Sequence, residues 1–327
     1  MYNLIVDGPD RRSKLPYSLI FCPECHTSMS LRSNDLTCPN AHKVEVKDGV
    51  VLLVNSDSYA TSFGEQWNYF SETQLDSFNG SNLTEKRFFD ETGWSKDSLA
   101  DAIILDAGCG SGRFTEIAAK YSKTVISVDL SDAIFAIPKS ITDPGNVIRV
   151  HGDLRNLSLD FSKITHVFSI GVLQHTPKPY ETLLNLVQSM QPGTKFAFTA
   201  YAARWYTSLH PKYLIRPITK RLPRKRLLSF LESVLPKYFD FLMRLVRPLR
   251  TRRLFKFLIP IALYPEYEDD LTREKLIEFT ILDTFDMWTP AYDSPLTSKN
   301  TRELLIPYSL NFEVISSVPV VVRGERA

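Results

Sequence analysis

Short apolar runs recur between residues 103 and 199, separated by mixed stretches, and the first four meet a glycine or an acid within two residues of their end. The runs at 103–105, 124–128, 147–150, 164–170 and 195–199 predict buried strands of a parallel sheet. Such strands are covered on both faces and lose the polar alternation of a half-exposed sheet. Residues 113–120 carry the helical pattern expected after the first of them. Strand and helix alternate throughout, which predicts a doubly wound α/β fold with its ligand across the carboxyl ends of the strands. Upstream, residues 44–46 and 50–54 alternate around Asp48-Gly49 and predict a hairpin with a two-residue turn.

Composition places the chain without refining that picture. Its 327 residues are 43% apolar and 23% charged, an ordinary globular balance with room for about two domains. No apolar run approaches the roughly 18 to 20 residues of a membrane span; those at 50–54 and 258–263 are far shorter. An apolar stretch precedes the first basic pair, the reverse of signal-peptide order, so a cytoplasmic protein is expected.

The distribution of charge matters more than its sum. Residues 203–256 hold fifteen Lys and Arg against two acids, a local charge of +13, which leaves −11 on the rest of a chain whose net charge is +2. Prolines at 211, 217, 223, 236 and 248 predict a division of this stretch into short helices. Three uses compete for it: a solvated cap paired with the acidic remainder, a peripheral contact with an anionic membrane, and a grip on nucleic acid. Further on, residues 271–279 predict a helix, and residues 282–293 cluster acids and aromatics, including Asp286 and Tyr292, as a candidate substrate wall.

Three of the four cysteines lie in the first forty residues, as Cys22-Pro-Glu-Cys25 and Cys38-Pro-Asn-Ala-His42. Two ligand pairs, each on a tight turn, suit a tetrahedral zinc ion. His26 competes for the fourth position but adjoins Cys25, so His42 is favoured. The alternative is three buried cysteines without metal. With the strands around them, these residues predict a structural zinc ribbon.

The first strand runs into Asp106-Ala-Gly108-Cys-Gly110-Ser-Gly112 and then Arg113. Three alternate glycines let a ligand approach the backbone at a helix N-terminus. Asp129 ends the second strand, where a carboxylate can accept both hydroxyls of a ribose, and Asp153-Leu154 follows the third. In this order and at these intervals, residues 101–201 resemble the class I S-adenosylmethionine-dependent methyltransferases.

The resemblance implies a doubly wound, seven-stranded Rossmann-like sheet, closed by antiparallel strands near 312–316 and 320–322 after a helix near 301–307. It implies a helical cap inserted after the fifth strand. It implies S-adenosylmethionine as cofactor, leaving as S-adenosylhomocysteine. Gly108, Gly110, Gly112 and Arg113 would hold the methionine portion, with Asp106 turned toward its amino group. Asp129 and Leu130 would bind the ribose, Asp153 and Leu154 would face the adenine, and Ile170 and Gly171 would close over the cofactor. Residues 61–76, with Phe88-Phe89 and Gly93-Trp94, are similar to a subgroup of these enzymes that begins with a zinc-ribbon-like segment. There Phe63, Gln66 and Trp67 would wall the cofactor pocket; the alternative is aromatic packing on the sheet.

The expected organisation is a zinc ribbon (1–58), a helical layer or lid (59–98), the methyltransferase core (99–202), the basic cap (203–290) and the closing elements (291–327). His175, after the fourth strand, is the first candidate base, with Tyr201, Asp286 and Tyr292 in reserve. The expected reaction is methylation of an O or N atom of a small-molecule, sugar or lipid-linked acceptor. The alternatives are an RNA methyltransferase using ribbon and basic segment, or a binding protein without turnover.

Overall fold

The computed structural model describes residues 15–54, 70–142 and 145–327. Phe63, Gln66 and Trp67 lie outside the described residues.

The chain begins with four short strands, β1 (Ser30–Arg32), β2 (Asp35–Thr37), β3 (Lys43–Lys47) and β4 (Val50–Leu52), each antiparallel to the next. Lys47 faces Val50 across the predicted two-residue turn, and Asp48 and Gly49 adopt φ of 51° and 75°, the left-handed pair such a turn requires. A helical layer follows: α1 (Asp76–Asn79), α2 (Leu83–Thr92) and α3 (Lys96–Leu99).

The alternating unit comes next, with β5 (Ile103–Ala107), α4 (Arg113–Tyr121), β6 (Thr124–Asp129), α5 (Lys139–Thr142), β7 (Val147–His151), β8 (His166–Ile170), α6 (Pro179–Ser189) and β9 (Lys195–Ala200). Beyond β9 the chain forms a helical unit, α7 (Lys212–Thr219), α8 (Arg224–Val246), α9 (Leu249–Leu258) and α10 (Arg273–Trp288). It then returns through α11 (Ser298–Leu305), β10 (Leu310–Ser317) and β11 (Val320–Arg326).

Among the described residues all strands join one sheet in the order β1-β2-β3-β4-β7-β6-β5-β8-β9-β11-β10. It has eleven strands, not the expected seven, because β4 pairs in parallel with β7, Val51 opposite Val150. The physical reason is the edge: β7 would otherwise present unpaired backbone groups, and Val50 and Val51 are fully buried by covering it. Alternate residues serve the two faces. Leu105, Ile126, Val150 and Val167 pack toward α6 and α11, while Ile104, Val125, Phe168 and Ala197 pack toward α2 and α4.

The prolines do not divide the basic segment as expected. Pro211, Pro223 and Pro248 precede helices, but Pro236 lies inside the 23-residue α8. Leu227, Leu231, Leu235, Phe239, Met243 and Val246 form one buried stripe along it, packed on Leu276, Phe279, Leu282 and Phe285 of α10. Burying six large side chains at roughly 1.5 to 3 kcal/mol each outweighs the roughly 3 kcal/mol of an interior proline.

Candidate functional site

The carboxyl ends of β5 to β9 open on a cavity of about 390 Å³. One end is built from the sequence's strongest motif. Gly108, at φ 92°, has no room for a Cβ, which would come within 2.3 Å of Val172, so the loop and the segment after β8 touch directly. The Gly110 amide donates to Asp129 Oδ2 at 2.8 Å, while the Ser131 amide and hydroxyl donate to Oδ1 at 2.8 and 2.6 Å. These bonds fix the Asp129 carboxylate at the cavity wall. Leu130, Asp153, Leu154, Ile170 and Gly171 also line it, and the space where a Gly171 Cβ would stand is open. Arg155 holds Asp153 in a two-pronged ion pair, with Nη2–Oδ2 at 2.6 Å.

Two expected residues of this end lie elsewhere. Asp106 is turned beneath the loop, 2% exposed, and accepts a 2.7 Å hydrogen bond from Thr115. It does not line the cavity, whereas the resemblance turns it toward a ligand amino group. Burial, and then the like charge of Asp129, push its carboxyl up to about 7. Gly112 caps α4 at φ 94° against Ile137 instead of lining the cavity. Trp67 lies outside the described residues.

The other end combines side chains from distant segments. Gln74 donates to Asp283 Oδ1 at 2.8 Å and accepts from Arg113 at 3.0 Å. The Tyr264 hydroxyl donates to the other Asp283 oxygen. Burial, the largest influence, raises the Asp283 carboxyl despite that bond. Arg87 and Arg113 both face the cavity and flank the Phe114 ring at 5.5 and 5.2 Å. Arg87 is held by Glu91 at 2.7 Å, which in turn accepts from Thr199. Gln74, Arg87, Tyr264 and Asp283 join through contacts separated by up to 209 positions, and no spacing rule in the sequence announces them as one site.

His175, Tyr201 and Asp286 are brought together around this end, whereas Tyr292 does not line the cavity. Its carbonyl instead lies 3.1 Å from His175 Nδ1. A carbonyl can only accept, so Nδ1 carries the proton and Nε2 is the basic nitrogen of the neutral ring. Tyr201 meets His175 edge to face at 5.5 Å. Desolvation at the cavity wall, followed by the charges of Asp286 and Asp283, raises its phenol, although the ring remains 40% exposed. A protonated phenol there is a hydrogen-bond donor. Fully buried Gln174 ties this loop together, donating to the Gly171 carbonyl at 2.7 Å and accepting from the Tyr201 amide at 3.3 Å.

A second cluster lies at the N-terminal unit. The ligand atoms of Cys22, Cys25, Cys38 and His42 all fall within 4.8 Å of one another. Cys25 Sγ is 3.6 Å from Cys38 Sγ, and Cys22 Sγ is 3.5 Å from His42 Nδ1. Tetrahedral zinc with ordinary bond lengths has ligand–ligand edges of about 3.5 to 3.8 Å, so the donor set fits that ion. Two turns, closed by His26 N–H to Cys22 C=O at 2.9 Å and Ala41 N–H to Cys38 C=O at 3.0 Å, present the pairs. His26 is outside the cluster.

Residues 105–198 match the family described as methyltransferase domain. Over 129 residues the chain is 26% identical to a ubiquinone biosynthesis O-methyltransferase of Coxiella burnetii, covering 38% of this chain and 55% of that one. Over 165 residues it is 24% identical to a mitochondrial ubiquinone biosynthesis O-methyltransferase of Schizosaccharomyces pombe, covering 47% and 60%. The chain thus spans little more than half the length of these relatives. An S-adenosylmethionine-dependent methyltransferase structure from Mesorhizobium loti is 21% identical, with a TM-score of 0.32 and coverage of 40% and 56%. The family match, together with the strand order and the glycine loop beside Asp129, identifies residues 105–198 as a class I S-adenosylmethionine-dependent methyltransferase domain.

Proposed function

We propose that the protein transfers a methyl group from S-adenosylmethionine to an oxygen of a small-molecule acceptor held between the core and the helical unit. The observation that carries this reading is the composition of the cavity. One end has the glycine loop and the fixed Asp129; the other has Tyr264, Asp283 and Asp286, contributed by elements outside the alternating unit. Such a cavity accommodates a cofactor and an acceptor side by side. The relatives named as O-methyltransferases agree with an oxygen acceptor.

Bound S-adenosylmethionine supplies an electrophilic methyl group. The chain's own task is to orient and to move one proton. Asp129 would accept a ribose hydroxyl on the lone pair that Gly110 and Ser131 leave open. Gly108, Gly110 and Arg113 would hold the methionine end, and Arg87 would add a second positive charge for its carboxylate. Asp153 and Leu154 would face the adenine. His175 Nε2 takes the acceptor proton, Tyr201 donates a hydrogen bond beside it, and Asp286 orients the acceptor. Alignment of this kind contributes up to about 7 to 11 kcal/mol, and a placed base adds roughly two to four powers of ten.

Within the same reading, residues 203–290 form a substrate cap and residues 1–58 a structural zinc ribbon. Cys22, Cys25, Cys38 and His42 would hold the metal, filling all four positions and leaving none for substrate.

The test is transfer of radiolabelled methyl into a cell extract divided into RNA, protein, lipid and small-molecule fractions, with Asp129→Ala as the blank. Label in the small-molecule or lipid fraction supports the proposal. Label confined to RNA overturns it, and so does cofactor binding without transfer to any fraction.

A further inference from the structure

Among the described residues, eleven of the seventeen large apolar side chains left exposed fall between Trp205 and Leu258. This is the same stretch that carries the local charge of +13. Exposed apolar surface and positive charge normally separate on a soluble protein, so their coincidence calls for a ligand with both properties.

Helix α9 displays the arrangement most plainly, since none of its residues is buried. At about 100° per residue, Leu249, Arg253, Phe257, Arg250, Leu254 and Leu258 follow one another in that angular order across about half the circumference. That arc holds four apolar residues, two arginines and no acid. The opposite half is committed to the protein: Arg252 donates to the Val246 and Arg247 carbonyls, Phe255 packs on the helical core, and Lys256 pairs with Glu266 at 2.7 Å.

The surface continues beyond α9. Phe257 meets the rings of Tyr206 and His210 at 5.6 and 5.4 Å, which brings the 87%-exposed Trp205 and the exposed Leu209 alongside. Helix α7 is inverted relative to an ordinary surface helix. Lys212 and Arg216 point inward, Lys212 to Asp293 at 2.8 Å and Arg216 to the Met287 and Pro290 carbonyls, while Leu214 and Ile218 face outward, 77% and 63% exposed.

We propose that this face, led by the outer arc of α9 with Trp205 and Leu209, docks on an anionic lipid surface. Leucines and a tryptophan enter the headgroup boundary while Arg250 and Arg253 extend to the phosphates, the pattern of an interfacial amphipathic helix. The charge is complementary, and a convex helix side offers no groove for a peptide or a base. No helix among the described residues is long and apolar enough to cross a membrane, so the contact is peripheral. Lys212 and Ala262, at the near ends of α7 and of the segment after α9, line the cavity, so docking places the cavity beside the lipid. The inference does not depend on the methyl-transfer reading, because docking is measured without cofactor.

The test is sedimentation of the full chain with phosphatidylcholine vesicles and with vesicles containing about one third phosphatidylglycerol. Preferential, salt-weakened binding to the anionic vesicles is expected. A basic side chain near such a surface is worth roughly fivefold in partitioning, so Arg250→Gln with Arg253→Gln should weaken binding roughly thirty-fold. Leu254→Gln with Leu258→Gln should remove the portion that survives high salt. All four residues are exposed or half-exposed, and an unchanged circular dichroism spectrum confirms that the variants fold. Equal binding to both vesicle types, wild-type binding by both double variants, or binding of RNA in place of vesicles would each overturn the proposal.

Discussion

Replacing Asp106 by Asn tests whether the glycine loop rests on a carboxyl group that is costly to ionise. The side chain is 2% exposed, accepts one 2.7 Å hydrogen bond from Thr115, and lies near the second carboxylate, Asp129. Burial first and Asp129 second raise it from 3.8 to about 7. In that interval the folded protein holds a proton that the unfolded chain has released. Stability therefore falls as pH rises from about 4 through 7. Converted at 1.36 kcal/mol per pH unit, the ionisation penalty is roughly 4 kcal/mol once the group is fully charged. Asn keeps the acceptor for Thr115 and cannot ionise. Urea unfolding of both proteins at pH 5 and pH 8, followed by circular dichroism, isolates this group because every other titrating residue is common to the pair. The variant should gain on the wild type by roughly 2 to 3 kcal/mol between the two pH values; a pH-independent cost of seating the amide N–H groups offsets both values equally and cancels in that difference. Parallel stability profiles would refute the reasoning and mean that water or a relaxed loop solvates Asp106.

Other consequences are equally direct. His175→Asn should lower kcat by roughly two to four powers of ten while leaving S-adenosylhomocysteine affinity unchanged in calorimetry; unchanged turnover removes His175 as the base. Gly108→Ala must place a Cβ against Val172 at a φ of 92°, and should abolish cofactor binding in the same calorimetric titration. Elemental analysis should find zinc in the wild type, and Cys38→Ser should lose it and lower Tm; equal metal content in both proteins would exclude the four-ligand site. Burial, then Lys195, lowers the His166 imidazole from 6.5 to about 4, so its contribution is lost as pH falls through that window. His166→Phe should flatten the acid limb of the Tm profile, and an unaltered limb would assign acid sensitivity elsewhere.

What was legible in the sequence depended on how local its cause was. The parallel strands are visible because both faces of each are covered, so Ile104 and Leu105, on opposite faces, are both apolar. Asp129 and Asp153 are readable because they terminate such strands. The pairing of β4 with β7 is not: nothing near Val50 indicates which edge, about a hundred residues on, it will meet. The inversion of α7 is equally hidden, since Lys212 and Arg216 read as solvated until Asp293 and the carbonyls of Met287 and Pro290, at the end of α10 and just past it, are in place. The direction in which Asp106 turns is hidden for a simpler reason. A strand-end acid points either to the ligand or under the loop, and only the Thr115 hydroxyl, nine residues on in the first turn of α4, decides between them.

The position of β11 has a consequence for the order in which the chain can be completed. It lies between β9 and β10, with Val320 opposite Ala200, so the apolar edge of β9 remains without its partner until 120 further residues have been made. At typical rates of translation that interval is on the order of ten seconds, during which the nascent sheet presents an open edge. The helical unit, with a core of its own in α8 and α10, is made in the meantime and must return the chain close to where it left. Substitutions within that unit would therefore reduce yield through aggregation on the ribosome before they affected any property of the finished protein.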